Sequence, residues 1–293
     1  MGAGFSGRCI VDDIGQPGLE DLPESCVALI LSYFEPCEIC RLALLNRKFR
    51  QASLADTVWE TKLPKNYEIL VKKLFTRQEE TSQQILSKKD IYARLCSATR
   101  FAGDTMEIWM DKNNGGICVA ISWKGLKITG ITDRRYWTHI STDESRFQTI
   151  AYLQQIWWLE VEGNIEMEFP EGNYSLFFRM KLGRTSKRLG NWRVCNDLDQ
   201  VHGWNVKPVQ FQLSSSNGQQ ATAQHYLNEP ATVGKWIHYY VGDFVVDQND
   251  NAPTKLKFSM TQIDCTHSKG GLCLDSVFIY PSKLRKTINY YKF

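Results

Sequence analysis

The hydrophobic pattern changes its period near residue 101, and that change constrains the fold more than any other feature of the chain. Before it, apolar residues recur at helical spacing: Val27, Ile30, Leu31 and Phe34 fall at i, i+3, i+4 and i+7 after Pro23, one face of a helix. Ile39, Leu42 and Ala43 repeat the offset after Pro36, a third segment carries Phe49, and a fourth closes on Trp59. Both prolines stand where a first helical turn tolerates a missing N–H. Beyond residue 101 the segments are short and aromatic or β-branched, among them FQTIAYL, NYSLFFRMKLG, KWIHYYVGDFVV and TKLKFSMTQID, with turn residues between them. TKLKFSMTQ alternates: Leu256, Phe258 and Met260 face one way, Lys255, Lys257, Ser259 and Thr261 the other, as in a half-buried antiparallel strand. The expected fold is α+β and multidomain, a small helical N-terminal domain followed by an antiparallel, jelly-roll-like β-sandwich. Expected divisions are a flexible tail over 1–18, helices over 19–75, a polar linker and short helix over 76–98, and the sandwich over 99–293.

Length and composition exclude several classes. The 293 residues suit two domains, and no stretch approaches 18 uninterrupted apolar residues, so no membrane span is expected. MGAGFSGRCIVDDIGQPG has no basic start followed by an apolar core and does not read as a secretory signal, so a cytoplasmic or nuclear address is expected. Nine cysteines, odd in number and irregularly spaced, then serve as small packing residues, and the sequon Asn173-Tyr174-Ser175 stays silent. Net charge is +3, unevenly spread: residues 1–60 carry 5 Lys/Arg against 9 Asp/Glu, residues 61–100 carry 9 against 4. The basic stretch has few aromatics and no recognition-helix pattern, so it reads as a solvated connector and no nucleic-acid partner is expected.

Cys37-x-x-Cys40 admits three readings: half a zinc site, a redox pair, or two helix residues. No second half-site exists among the other Cys and His residues, and no strand precedes the pair, so the helix reading is preferred. Gly2, Gly4 and Gly7 spell G-x-G-x-x-G without the strand and helix that a dinucleotide site requires. The same stretch, with Gly2 and Ser6, fits an N-myristoylation signal. H-E-x-x-H, G-x-S-x-G and the phosphate-loop motif are absent, and the five histidines are scattered. No cofactor, metal or catalytic residue is expected.

Two segments resemble known families. LPESCVALILSYFEP (22–36) and CRLALLNRKFRQASLADTVW (40–59) resemble an F-box. The resemblance implies docking to the Skp-type adaptor of a cullin–RING ubiquitin ligase, with Leu22, Pro23, Leu29, Ile30, Phe34, Ile39 and Leu42 as contacts. Short helices on so small a core leave one face for a partner, although some of these residues suit the internal core equally well. KKDIYARLCSATR, GLKITGITDRRYWTHI, FQTIAYLQQIWWLEVEGNIE, GKWIHYYVGDFVV and GLCLDSVFIYP resemble the phloem protein 2 family of Nictaba-like plant lectins. That resemblance implies a carbohydrate site of two Trp and two acidic residues. Trp137 matches the second Trp, and Asp243 and Asp250 match the acidic pair with Asp for Glu. Gly130 stands where the family has its first Trp, and Trp123 or Trp109 could replace that ring in space.

The joint reading is a non-catalytic plant F-box protein of the phloem protein 2-A type, the target-selecting subunit of a ubiquitin ligase whose lectin-like domain takes a glycan or glycoprotein. Two alternatives stand beside it: a lectin acting without a ligase, and a ligase adaptor that recognises a protein surface.

Overall fold

The structure, a computed structural model, describes residues 22–75, 86–113, 115–188, 191–195, 201–229, 232, 234–247, 253–288 and 290–291. The expected tail over 1–18, most of the expected linker, Gly2 and Asp250 lie outside the described residues. The chain divides into two compact units, one reaching to Lys62 and taking in Ser87–Lys89, the other formed by Leu63–Leu86 and the chain from Asp90 onward.

Among the described residues the first unit holds four short helices, α1 (Glu24–Leu31), α2 (Pro36–Leu42), α3 (Arg47–Ala52) and α4 (Asp56–Glu60). Two of them begin on side-chain caps. Pro36 opens α2 inside a reciprocal capping box between Glu35 and Glu38, and the Asn46 side chain accepts from the Phe49 N–H at 2.9 Å to cap α3. Helices this short are marginal alone and depend on shared burial. Val27, Ala28, Leu31, Ile39, Phe49, Ala52, Val58 and Trp59 supply it, and the Trp59 indole N–H donates to the Ser53 carbonyl at 2.7 Å. Cys37 and Cys40 are exposed residues of α2.

The second unit holds α5 (Tyr67–Phe75) and, from Asp90 on, α6 (Lys88–Cys96). Grouping by sequence pattern put 67–75 with the preceding helices, whereas the structure groups it with the strands. Polar contacts explain the difference: the Asn66 amide donates to the Glu168 carbonyl at 2.9 Å, and the Lys73 ammonium lies 3.1 Å from the Glu168 carboxylate. Among the described residues no helix is long and apolar enough to cross a membrane.

Among the described residues sixteen strands follow in chain order: β1 (Thr99–Phe101), β2 (Met106–Met110), β3 (Ile117–Ser122), β4 (Lys127–Ile128), β5 (Trp137–Ser141), β6 (Thr149–Leu153), β7 (Leu159–Met167) and β8 (Gly172–Leu182). Then come β9 (Arg184–Arg188), β10 (Asn191–Cys195), β11 (Val209–Ser215), β12 (Gln220–His225), β13 (Ile237–Val246), β14 (Thr254–Gln262), β15 (Leu272–Pro281) and β16 (Tyr290–Tyr291). A nine-stranded sheet has the order β1-β2-β3-β15-β8-β13-β16, with β6 also paired to β15 and β5 to β6. A five-stranded sheet has the order β12-β11-β14-β7-β4, and β9 with β10 forms a separate hairpin. Pairing is antiparallel except between β13 and β16. This is the curled, sandwich-like domain that the alternating segments predict.

The core lies between the two sheets. Phe178 of β8 meets Phe211 of β11 and Phe258 of β14, with ring centroids 5.5 and 6.0 Å apart. The sheets approach closely beside the bulge in β13, where a Cβ on Gly242 would stand 2.2 Å from the Ala221 Cβ, so only glycine fits. On its other face the large sheet carries a second aromatic layer that includes Phe177, His238, Phe278 and Tyr280. That layer is edged by Arg179, whose guanidinium lies 4.3 Å from the Trp236 ring and 2.6 Å from the buried Asp275 carboxylate.

Candidate functional site

On the helical unit the candidate site is what its small core leaves uncovered. Leu29 is 62% exposed, Tyr33 82%, Leu44 86% and Leu45 67%, with Ile30, Phe34 and Leu54 also at the surface. Seven large apolar side chains at the surface between residues 29 and 54 make this unit a candidate interaction surface. Leu29, Ile30, Phe34 and Pro23 of the expected contacts are exposed, and Leu22 and Leu42 are half-buried. Ile39 is fully buried and belongs to the internal core. Tyr33, Leu44 and Leu45 escaped the sequence reading. The apolar run ALL after α2 signals only the two leucines, and periodicity does not say which apolar face turns inward.

The sandwich places its expected residues far apart. Trp137 opens β5 and is 2% exposed, with its indole N–H donating to the Thr129 carbonyl at 2.9 Å. The expected stacking ring is therefore a core ring with its polar edge satisfied. Gly130 adopts φ +70°, and a Cβ there would lie 2.9 Å from the Tyr136 ring, so Tyr136 occupies the space of any side chain at that position. Neither candidate replacement offers a free face. Trp123 is buried against His139 at 4.4 Å, and the half-buried Trp109 is covered by the Arg146 guanidinium at 4.2 Å.

Asp243 lies on β13, exposed, and accepts from the Ser175 hydroxyl at 2.6 Å and from the Arg285 guanidinium. Arg285 also lies 4.7 Å over the Tyr240 ring. Burial, seconded by the Asp243 charge, pushes the Tyr240 phenol up to about 12. Strand register separates Asp243 from Trp137. Trp137 pairs with Leu153, Leu153 with Leu272 and Leu272 with Leu182, whereas Asp243 pairs with Ser175. The path from Leu182 to Ser175 runs along most of β8, roughly 23 Å at strand rise. The structure does not bring these two residues together.

The large apolar side chains that do reach the surface of this unit include Trp157 at 49%, Trp158 at 45%, Tyr226 at 46% and Ile263 at 50%. Two consecutive tryptophans in QQIWWLEV break the alternation of the strand they precede, and that break was the overlooked signal.

Residues 19–61 match the F-box domain family and residues 116–281 match the Phloem protein 2 family. F-box protein PP2-A13 of Arabidopsis thaliana is 57% identical over 270 residues, 92% of this chain and 90% of that protein. The chain belongs to the F-box proteins of the phloem protein 2-A type. F-box protein PP2-A11 of the same plant is 51% identical over 292 residues, 97% of this chain and 98% of that protein. The F-box coincides with the four helices of the first unit, and the phloem protein 2 segment runs from the start of β3 to the end of β15. Of the residues that the lectin resemblance implied, the phloem protein 2 domain keeps Asp243 at its surface, buries Trp137 and has no ring at Gly130.

Proposed function

We propose that this F-box protein is the target-selecting subunit of a Skp–cullin–F-box ubiquitin ligase, working in the cytoplasm or nucleus. Its F-box docks the Skp-type adaptor, and its phloem protein 2 domain selects glycosylated targets. The exposed apolar face of Leu29, Tyr33, Phe34, Leu44 and Leu45 carries the reading, because a unit of four short helices leaves that face in water unless a partner covers it. The chain itself does no chemistry. Tethering raises the effective concentration of a target's lysines near the charged conjugating enzyme.

The test is co-purification of the full chain with a recombinant Skp-type adaptor. Leu29→Asp with Leu45→Asp places two charges on the exposed face without entering the core, and complex formation is expected to fall at least a hundredfold while helicity persists. An intact complex with that double variant would refute the docking assignment. The burial of Trp137 favours a second reading, in which the sandwich recognises a protein surface. A glycan array that stays blank with folded protein would select it.

A further inference from the structure

The outer face of the five-stranded sheet combines a groove, a ladder of polar side chains and an apolar row. Glu162 of β7 pairs with Lys127 on one side and with Ser259 on the other, Ser259 pairs with Gln212, and Gln212 with Thr222. One row of outward side chains therefore crosses all five strands. A parallel row runs from Asn164 through Lys257 and Ser214 to Gln220. Together these rows line a groove of about 660 Å³. Its charged lining is Lys127, Glu162 and Lys257, a net charge of one positive: Lys127 lies 2.9 Å from the Glu162 carboxylate, and, beside the groove, Lys255 lies 3.3 Å from Glu166.

Four residues along β7 from Glu162, roughly 13 Å at strand rise, the chemistry changes. The last pairs of these ladders are Leu159 with Gln262 and Val209 with His225, with Gln210 opposite Thr261. Continuing the first two registers by one residue and the third by two sets Trp158 beside Ile263, Pro208 beside Tyr226, and Ile263 beside Pro208. Lys269 supports that continuation. Fully buried, it donates from its ammonium to the carbonyls of Trp157 and Asp264, each at 2.6 Å, and these are the next cross-strand neighbours in the same register. A buried cation bound to main-chain carbonyls thus holds the end of the sheet in place, and Trp158, Ile263 and Tyr226 are each about half exposed there.

We propose that this face binds an uncharged oligosaccharide, laid along the strands with one sugar ring on Trp158 and its hydroxyls on the polar rows. Sugar rings present C–H groups on one side and hydroxyls around the edge, which matches an indole face beside amide and hydroxyl side chains. One surplus lysine, Lys257, in an open groove is a weak field and does not by itself select an anionic chain. An extended peptide fits less well, because the main-chain hydrogen bonds of a sheet interior are already used within the sheet, leaving none for strand addition. The assignment rests on the phloem protein 2 domain being a glycan selector, and it moves the site away from Trp137 and Asp243.

The experiment uses the full chain on a printed array of neutral N-glycans and plant-wall oligosaccharides, with apparent affinity measured for each signal. Trp158→Ala and Gln212→Ala are each expected to weaken binding tenfold or more, whereas Asp243→Ala is expected to leave it within twofold. Thermal unfolding of each variant identifies any that fail to fold, and Trp158→Tyr, which keeps an aromatic face, is expected to retain binding within about threefold. Loss of binding in Asp243→Ala with retention in Trp158→Ala would overturn the assignment, as would a blank array from folded wild-type protein. Adaptor binding, followed on the same variants, is expected to be unchanged, so a failure of the ligase reading registers separately from a failure at this face.

Discussion

Replacing Trp137 decides whether the tryptophan marked by the lectin resemblance is a ligand or a core residue. At 2% exposure the ring has no free face, and its one polar atom is bound to the Thr129 carbonyl. Trp137→Phe keeps most of the ring and orphans that carbonyl, a loss of about 1–3 kcal/mol for an unsatisfied buried acceptor. Trp137→Ala removes the ring altogether, and truncations of this kind cost about 3–5 kcal/mol. A domain of this size loses about 2–4 °C in Tm per kcal/mol, so the expected falls are about 2–12 °C for Phe and 6–20 °C for Ala. Far-UV circular dichroism of the purified full chain on heating measures both, and the glycan array run on the Phe variant at a temperature where it is folded completes the test. The expected outcome is lowered stability with an unchanged glycan profile. A Phe variant that melts with the wild type, or that melts lower and loses its glycan signal while remaining folded, would refute the core assignment.

Two further outcomes follow from the geometry. Gly130→Trp restores the ring of the family pattern but forces a side chain onto a left-handed backbone and into the Tyr136 ring, so Tm is expected to fall by about 2–8 °C, the equivalent of about 1–2 kcal/mol for the left-handed residue alone, with no gain of glycan signal. The His225 imidazole is held below its ordinary value by burial, against the opposing pull of the Tyr240 carbonyl 2.8 Å from its Nε2. Between the folded value and the unfolded value of about 6.5 the unfolded chain binds the extra proton. This contribution is therefore complete above pH 6.5 and lost as pH falls through the folded value. Denaturant midpoints between pH 7.5 and 5 should fall more steeply in the wild type than in His225→Phe, and parallel slopes would show that another group is responsible.

Local pattern reported well on local structure. In TKLKFSMTQ the alternation named Leu256, Phe258 and Met260 as the inward set, and all three are buried, with Lys255 and Lys257 exposed. The same logic worked less well in α1. Of the four apolar residues at helical spacing, Val27 and Leu31 are buried while Ile30 and Phe34 face out. An apolar stripe wider than the available core must leave part of itself uncovered, and helical period alone does not say which part.

The chain's own sequence was sufficient for the change of architecture near residue 101, the F-box and phloem protein 2 domains, and the inward faces of strands, because each of these depends on spacing between near neighbours. Tertiary structure decided the rest. The fates of Trp137 and Asp243 depend on strand register across five strands, and that register separates them by most of the length of β8. The row from Trp158 to Tyr226 depends on β7, β14, β11 and β12, spread along the chain from Leu159 to Gln262, pairing in one register. Side-chain period within a strand is a local property, but the neighbour across the sheet is set by chain reversals far apart in sequence.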